Sequence, residues 1–74
     1  MRFYFDVHDE IYSAVDNDGT TLPQVEDARK QANHIATAIA RDVFDANGSK
    51  LSVTVRDQNK ILFVMTIRLI IEEP

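Results

Sequence analysis

The sequence predicts an α+β domain of order β-β-α-β-β, an antiparallel four-stranded sheet with one helix packed across one face. Three observations carry this expectation. Arg2 to His8 alternates apolar and polar residues, the two-residue period of a half-buried strand. From Val25 to Val43 the apolar residues recur at spacings of three and four, the stripe of a helix with one buried face. From Ile61 to Ile71 the chain is apolar except at Thr66 and Arg68, too short and too interrupted for a membrane span but suited to a strand. With 74 residues and no linker, repeat or low-complexity stretch, residues 1–74 form a single small domain.

In the first strand Phe3, Phe5 and Val7 face the core, and Arg2, Tyr4, Asp6 and His8 face away. Asp9 and Glu10 turn the chain into a weaker strand, Glu10 to Val15, and the short connection makes the pair a hairpin. Asp16-Asn17-Asp18-Gly19 breaks the pattern with turn-forming residues. Pro23 disfavours helical dihedrals at Leu22, so the helix starts after it. Its buried stripe is rich in alanine (Ala28, Ala32, Ala36, Ala40), which implies close approach to the sheet. Glu26 and Asp27 suit the first turn, and Asn47-Gly48 is a stop signal. Leu51 to Asp57 is the third strand, with Leu51, Val53 and Val55 inward. Gln58-Asn59-Lys60 is a tight turn, with Asn59 the residue best able to take positive φ.

Composition excludes several functions. The absence of cysteine removes disulfides and thiolate metal sites. A net charge of −4 argues against nucleic acid as a partner, since phosphate neutralisation calls for a basic surface. The opening residues lack the apolar core and cleavage site of a signal peptide. The expected setting is cytoplasmic, with no membrane association and no cofactor.

Three stretches carry a family resemblance. Arg2-Phe3-Tyr4-Phe5-Asp6-Val7 matches an Arg-aromatic-aromatic-Phe opening strand. Asp16, Gly19, Leu22, Pro23, Glu26 and Ala28 match an Asp-x-x-Gly-x-x-Leu-Pro-x-x-Glu-x-Ala helix entry, and Val53, Val55 and Asp57 match a Val-x-Val-x-Asp strand. Together they resemble a small bacterial family known only as a domain of unknown function. Gln24 stands where that family often has the better N-caps Asp or Ser, and the last hairpin lacks the usual glycine. The resemblance implies a fold and a bacterial source, and no reaction, ligand or catalytic residue. A weaker, architectural similarity is to antitoxins of the HicB type, of whose Pro-Asp-x-Pro-Gly-Cys helix entry only Leu22-Pro23 is present.

Candidate chemistry is sparse. Asp6, Asp9, Glu10, Asp16 and Asp18 could offer oxygens to a hard cation, but alignment of Gly19 with the glycine of an EF-hand loop puts Ala14 and Val25 at ligand positions, so the motif fails. His8 beside Asp9 could be an oriented general base, yet no nucleophile motif accompanies it; His34 reads as a surface helix residue. The expectation is therefore a non-enzymatic interaction module. Tyr4, Tyr12, Thr54 and Arg56 are placed on the sheet face opposite the helix, as centre and rim of a protein interface. The last strand is apolar on both faces, so Leu62, Val64 and Ile70 add an uncovered patch, with Ile61, Phe63 and Met65 the alternative outer set. A homodimer through the sheet is the leading expectation; the alternative is a toxin–antitoxin-type or regulatory component that binds a partner protein or RNA.

Overall fold

A computed structural model describes residues 1–45 and 49–74. The expected β-β-α-β-β order is present, with one short strand added. The elements are β1 (Arg2–His8), β2 (Ser13–Ala14), β3 (Thr20–Thr21), α1 (Val25–Val43), β4 (Ser49–Arg56) and β5 (Ile61–Leu69). All pairings are antiparallel: the sheet runs β2-β1-β4-β5, and β3 pairs with the other half of the β1 edge that β2 occupies. The stop signal Asn47-Gly48 lies outside the described residues.

The core forms where α1 lies on the sheet. Phe3 and Phe5 of β1 and Leu51, Val53 and Val55 of β4 are buried against Ala28, Ala32, Ala36 and Ala40. The four alanines recur every fourth residue, so they form one line along the helix that drifts gradually around its axis. Ile35, Ile39 and Phe44 flank that line and pack against the same cluster. At the helix start the Asp27 carboxylate accepts the backbone N–H of Gln24 at 3.1 Å, which offsets the weak N-cap.

Three aspartates close three turns in the same way. Asp9 Oδ1 accepts the N–H groups of Ile11 and Tyr12, both at 2.7 Å. Asp57 Oδ1 accepts those of Asn59 and Lys60 at 2.7 and 2.8 Å. Asp16 Oδ1 accepts those of Asp18 and Gly19 at 3.0 and 2.9 Å. In each hairpin the carboxylate takes the place of the aspartate's own carbonyl, while its N–H bonds the carbonyl three residues on. This corrects two expectations. The second strand shrinks to Ser13–Ala14 because the Asp9 turn reaches Tyr12, and Asn59 has no positive φ because Asp57 closes the last turn without one.

The register settles which face of β5 meets the helix. Phe63, Met65 and Ile67 stand opposite Val55, Val53 and Leu51, so they face α1. A bulge lies at the start of the strand, where Arg56 pairs with Ile61 and Leu62 is the extra residue. Leu62 consequently packs against the core cluster, whereas Ile61 is 61% exposed.

Close approach through the alanine line sets the first testable outcome. Ala32→Leu should overpack the helix–sheet contact and cost about 1–3 kcal/mol in urea unfolding. The exposed Ala38→Leu on the other side of α1 should leave stability nearly unchanged.

Candidate interaction surface

The sheet face away from α1 carries Tyr4 and Asp6 of β1, Ser52, Thr54 and Arg56 of β4, and Val64 and Thr66 of β5. Its first feature is a polar clasp. Arg56 donates to both Asp6 carboxylate oxygens, Nε at 2.7 Å and Nη2 at 3.3 Å, and Nη2 also reaches the Asp16 carbonyl at 2.9 Å. The guanidinium lies 4.7 Å from the Tyr4 ring centre, a cation–π contact. Asp6 Oδ1 accepts the Asp16 N–H at 2.9 Å, and Asp16 Oδ2 accepts the Phe5 N–H at 3.1 Å. That last bond fills the gap in the β1 edge between the short strands β2 and β3. Gly19 completes the loop at φ +74°. A Cβ there would sit 2.9 Å from both Arg2 Cγ and Tyr4 Cε2, so only glycine fits without displacement.

The clasp also shifts titration. The Arg56 hydrogen bond holds the Asp6 carboxyl below its ordinary value, against the burial that pushes it up. For Asp16, burial pushes upward most strongly, but the N–H groups of Gly19, Phe5 and Asp18 and the Arg56 charge together carry it below.

The expected interface residues divide. Tyr4, Thr54, Arg56 and Val64 share the outer face: Tyr4 stands opposite Arg56, and Thr54 lies buried between Asp6 and Val64. Tyr12 does not join them. It lines a shallow hollow on the helix side with Val7, Ala14, Ile39, Val43 and Leu51, because Ala14 pairs with the core-facing Val7. Leu62 is withdrawn by the bulge, and Ile70 is exposed beyond the end of β5. The expected outer patch of Leu62, Val64 and Ile70 is thus reduced to Val64, with Ile61 and Ile70 at its ends.

The second feature is the β5 edge. Among the described residues β5 pairs only with β4, and none of its nine residues is fully buried. The phase of its hydrogen bonds follows from β1. Phe5 directs its N–H to Asp16, away from β4, so Asp6 and Thr54 bond each other and Val53 and Val55 bond β5. The N–H and C=O groups of Val64, Thr66 and Arg68 therefore point out into solvent along an apolar strand.

A sequence model described as "Domain of unknown function (DUF6894)" matches residues 2–68. The chain belongs to this family. No curated protein and no solved structure matches it. In the helix entry of this chain, Asp16 is the carboxylate that ties the loop to β1 and Gly19 is the residue with positive φ.

His8 and Ser52 are cross-strand neighbours at a hollow shared with Asp9, Glu10 and Lys50. The Ser52 hydroxyl is joined to that of Thr66 at 2.9 Å, and Asp9 is turned onto its own loop, so neither orients His8. His34 is exposed on α1. Among the described residues no three His, Asp or Glu side chains gather as a metal site, and no helix is long and apolar enough to cross a membrane.

Because the folded pKa of Asp6 and Asp16 lies below the value of 3.8 ordinary for the free side chain, their contribution to stability is present above about pH 4. It is lost as the pH falls through the lowered folded value. Urea midpoints of the native chain should therefore drop steeply below about pH 4, with Asp9 and Asp57 adding to the slope. Asp16→Asn should lower stability at neutral pH by roughly 1–3 kcal/mol and flatten the acid limb. An unchanged acid limb in that variant would show that Asp16 does not hold the loop.

Proposed function

We propose that this domain is a non-enzymatic interaction module that self-associates through β5. The observation that carries the reading is that β5, the most apolar segment of the chain, has no fully buried residue and an unpaired outer edge. Such an edge is a template for another strand. Devices that usually blunt an edge are scarce here: β5 contains no proline and one charged residue, Arg68. Its bulge lies at one end and leaves Phe63 to Leu69 regular. Leu69 at the end of the strand is 40% exposed, and Ile70 and Ile71, at 65% and 49% exposure, extend the apolar segment beyond it.

Among the described residues the opposite side of the sheet offers no comparable edge. There β1 is covered in turn by β2, the Asp16 carboxylate and β3. The outer face contributes less than the edge, because Tyr4, Thr54 and Arg56 are engaged within the chain.

Light scattering at micromolar concentration should give the mass of a dimer. Thr66→Pro removes an N–H that points away from β4 and places a ring on the edge, so it should yield a folded monomer. A native chain that is monomeric under these conditions would overturn the reading.

A further inference from the structure

Resting on that reading, we infer that the partner of β5 is the β5 of a second copy, paired antiparallel about a two-fold axis at Thr66. The ladder phase restricts the choice. Free backbone groups lie on Val64, Thr66 and Arg68, so even-numbered residues must meet even-numbered residues. The axis then falls on one residue of the strand, and side-chain chemistry selects which. Centred on Thr66, the pairing sets Met65 opposite Ile67 of the second copy and Phe63 opposite Leu69, and brings the tail from Ile70 alongside the bulged start of the second copy's strand. The exposed tail residues Ile70 and Ile71 are thereby drawn into the ladder.

Charge follows the same register. Lys60 comes level with the end of the second copy's tail, where the bulge at Leu62 sets it between Ile71 and Glu72, within reach of the Glu72 and Glu73 carboxylates. The two-fold axis makes this contact twice. Arg68 meets Val64, and the two Arg68 residues stay about four residues, or roughly 13 Å, apart along the strands. Neighbouring registers fare worse. An axis at Met65 leaves Ile71 and the glutamates without partners. At Ile67 it brings the two Arg68 residues within two residues, roughly 7 Å, of each other along the strands, and at Val64 it brings Lys60 to the level of Arg68. The helix-facing residues Phe63, Met65, Ile67 and Leu69 also form one continuous row across the junction, so their exposed halves cover one another. The sheets join into one, with both helices on the same side.

The chain has no cysteine, so single cysteines report the register directly. Directly paired residues on antiparallel strands have Cα atoms about 5.5 Å apart at a hydrogen-bonded site, within disulfide range. Under mild oxidation Thr66→Cys should convert to a covalent dimer, while Val64→Cys and Arg68→Cys should each stay uncoupled alone and couple when mixed. Lys60→Glu should weaken dimerisation at low salt, and adding Glu72→Lys and Glu73→Lys should restore it. Circular dichroism of each variant confirms that the fold is kept. A dimer by light scattering in which the Thr66→Cys chain stays reduced, or in which a Met65→Cys or Ile67→Cys chain couples to itself instead, overturns this register and leaves self-association standing. A monomer by light scattering overturns both.

Discussion

One helix cannot cover this sheet, and that limit governs the rest of the molecule. A sheet of this width presents an apolar face that α1 covers fully at Phe3 and Phe5 of β1 and along β4, and only partly at Val7 and in β5. The chain concentrates its burial accordingly. All residues from Leu51 to Val55 are buried, including Ser52 and Thr54 on the face away from the helix, because β4 has a neighbour on each side. In β5 the larger residues Phe63, Met65 and Ile67 are only half-buried, although they belong to the same row. Small domains bury a modest share of their unfolded surface, so apolar area left uncovered at an edge is a sizeable part of what is available.

Much of this is legible in the sequence because it depends on period. The two-residue alternation of Arg2 to His8 and Leu51 to Val55, and the helical spacing of the alanines, reproduce the observed core almost residue for residue. The departures share a different cause, the hydrogen-bonding capacity of single side chains and single-residue shifts, which no period records. Asp9 turns a longer strand into a hairpin loop and carries Tyr12 to the helix side. One extra residue in β5 moves Leu62 from the expected patch toward the core. The pattern marks Asp16 only as a turn residue, yet its second oxygen bonds a strand eleven residues away. The cue for that bond is present only as the spacing of Asp16 and Gly19 ahead of Leu22-Pro23.

The clasp and the open edge are complementary answers to one problem. On the β1 side a full-length neighbour is replaced by two strands of two residues each, with a carboxylate between them. That arrangement protects the edge while leaving it irregular, so a foreign strand finds no continuous ladder to join. The linked charges Asp6, Arg56 and Asp16 fix the loop against the sheet and keep the Tyr4 ring under the guanidinium. The two ends of the sheet thus differ in kind, one sealed by side chains and the other left as a regular strand.

That asymmetry bears on how far assembly can go. A chain with two open edges stacks without limit, and a regular apolar edge strand is then an aggregation hazard. Among the described residues the long edge is single, so joining it to its own copy would use up both edges at once and close at two. Isologous pairing also brings each residue of the edge to two equivalent contacts, which makes a short strand sufficient where a heterologous contact would need a second complementary surface. The sealed β1 side is in this sense as necessary to a finite assembly as β5 itself. In a pair joined at β5, loss of the Asp16 bond would free the Phe5 N–H midway along the β1 edge, between the stretches that β2 and β3 still cover.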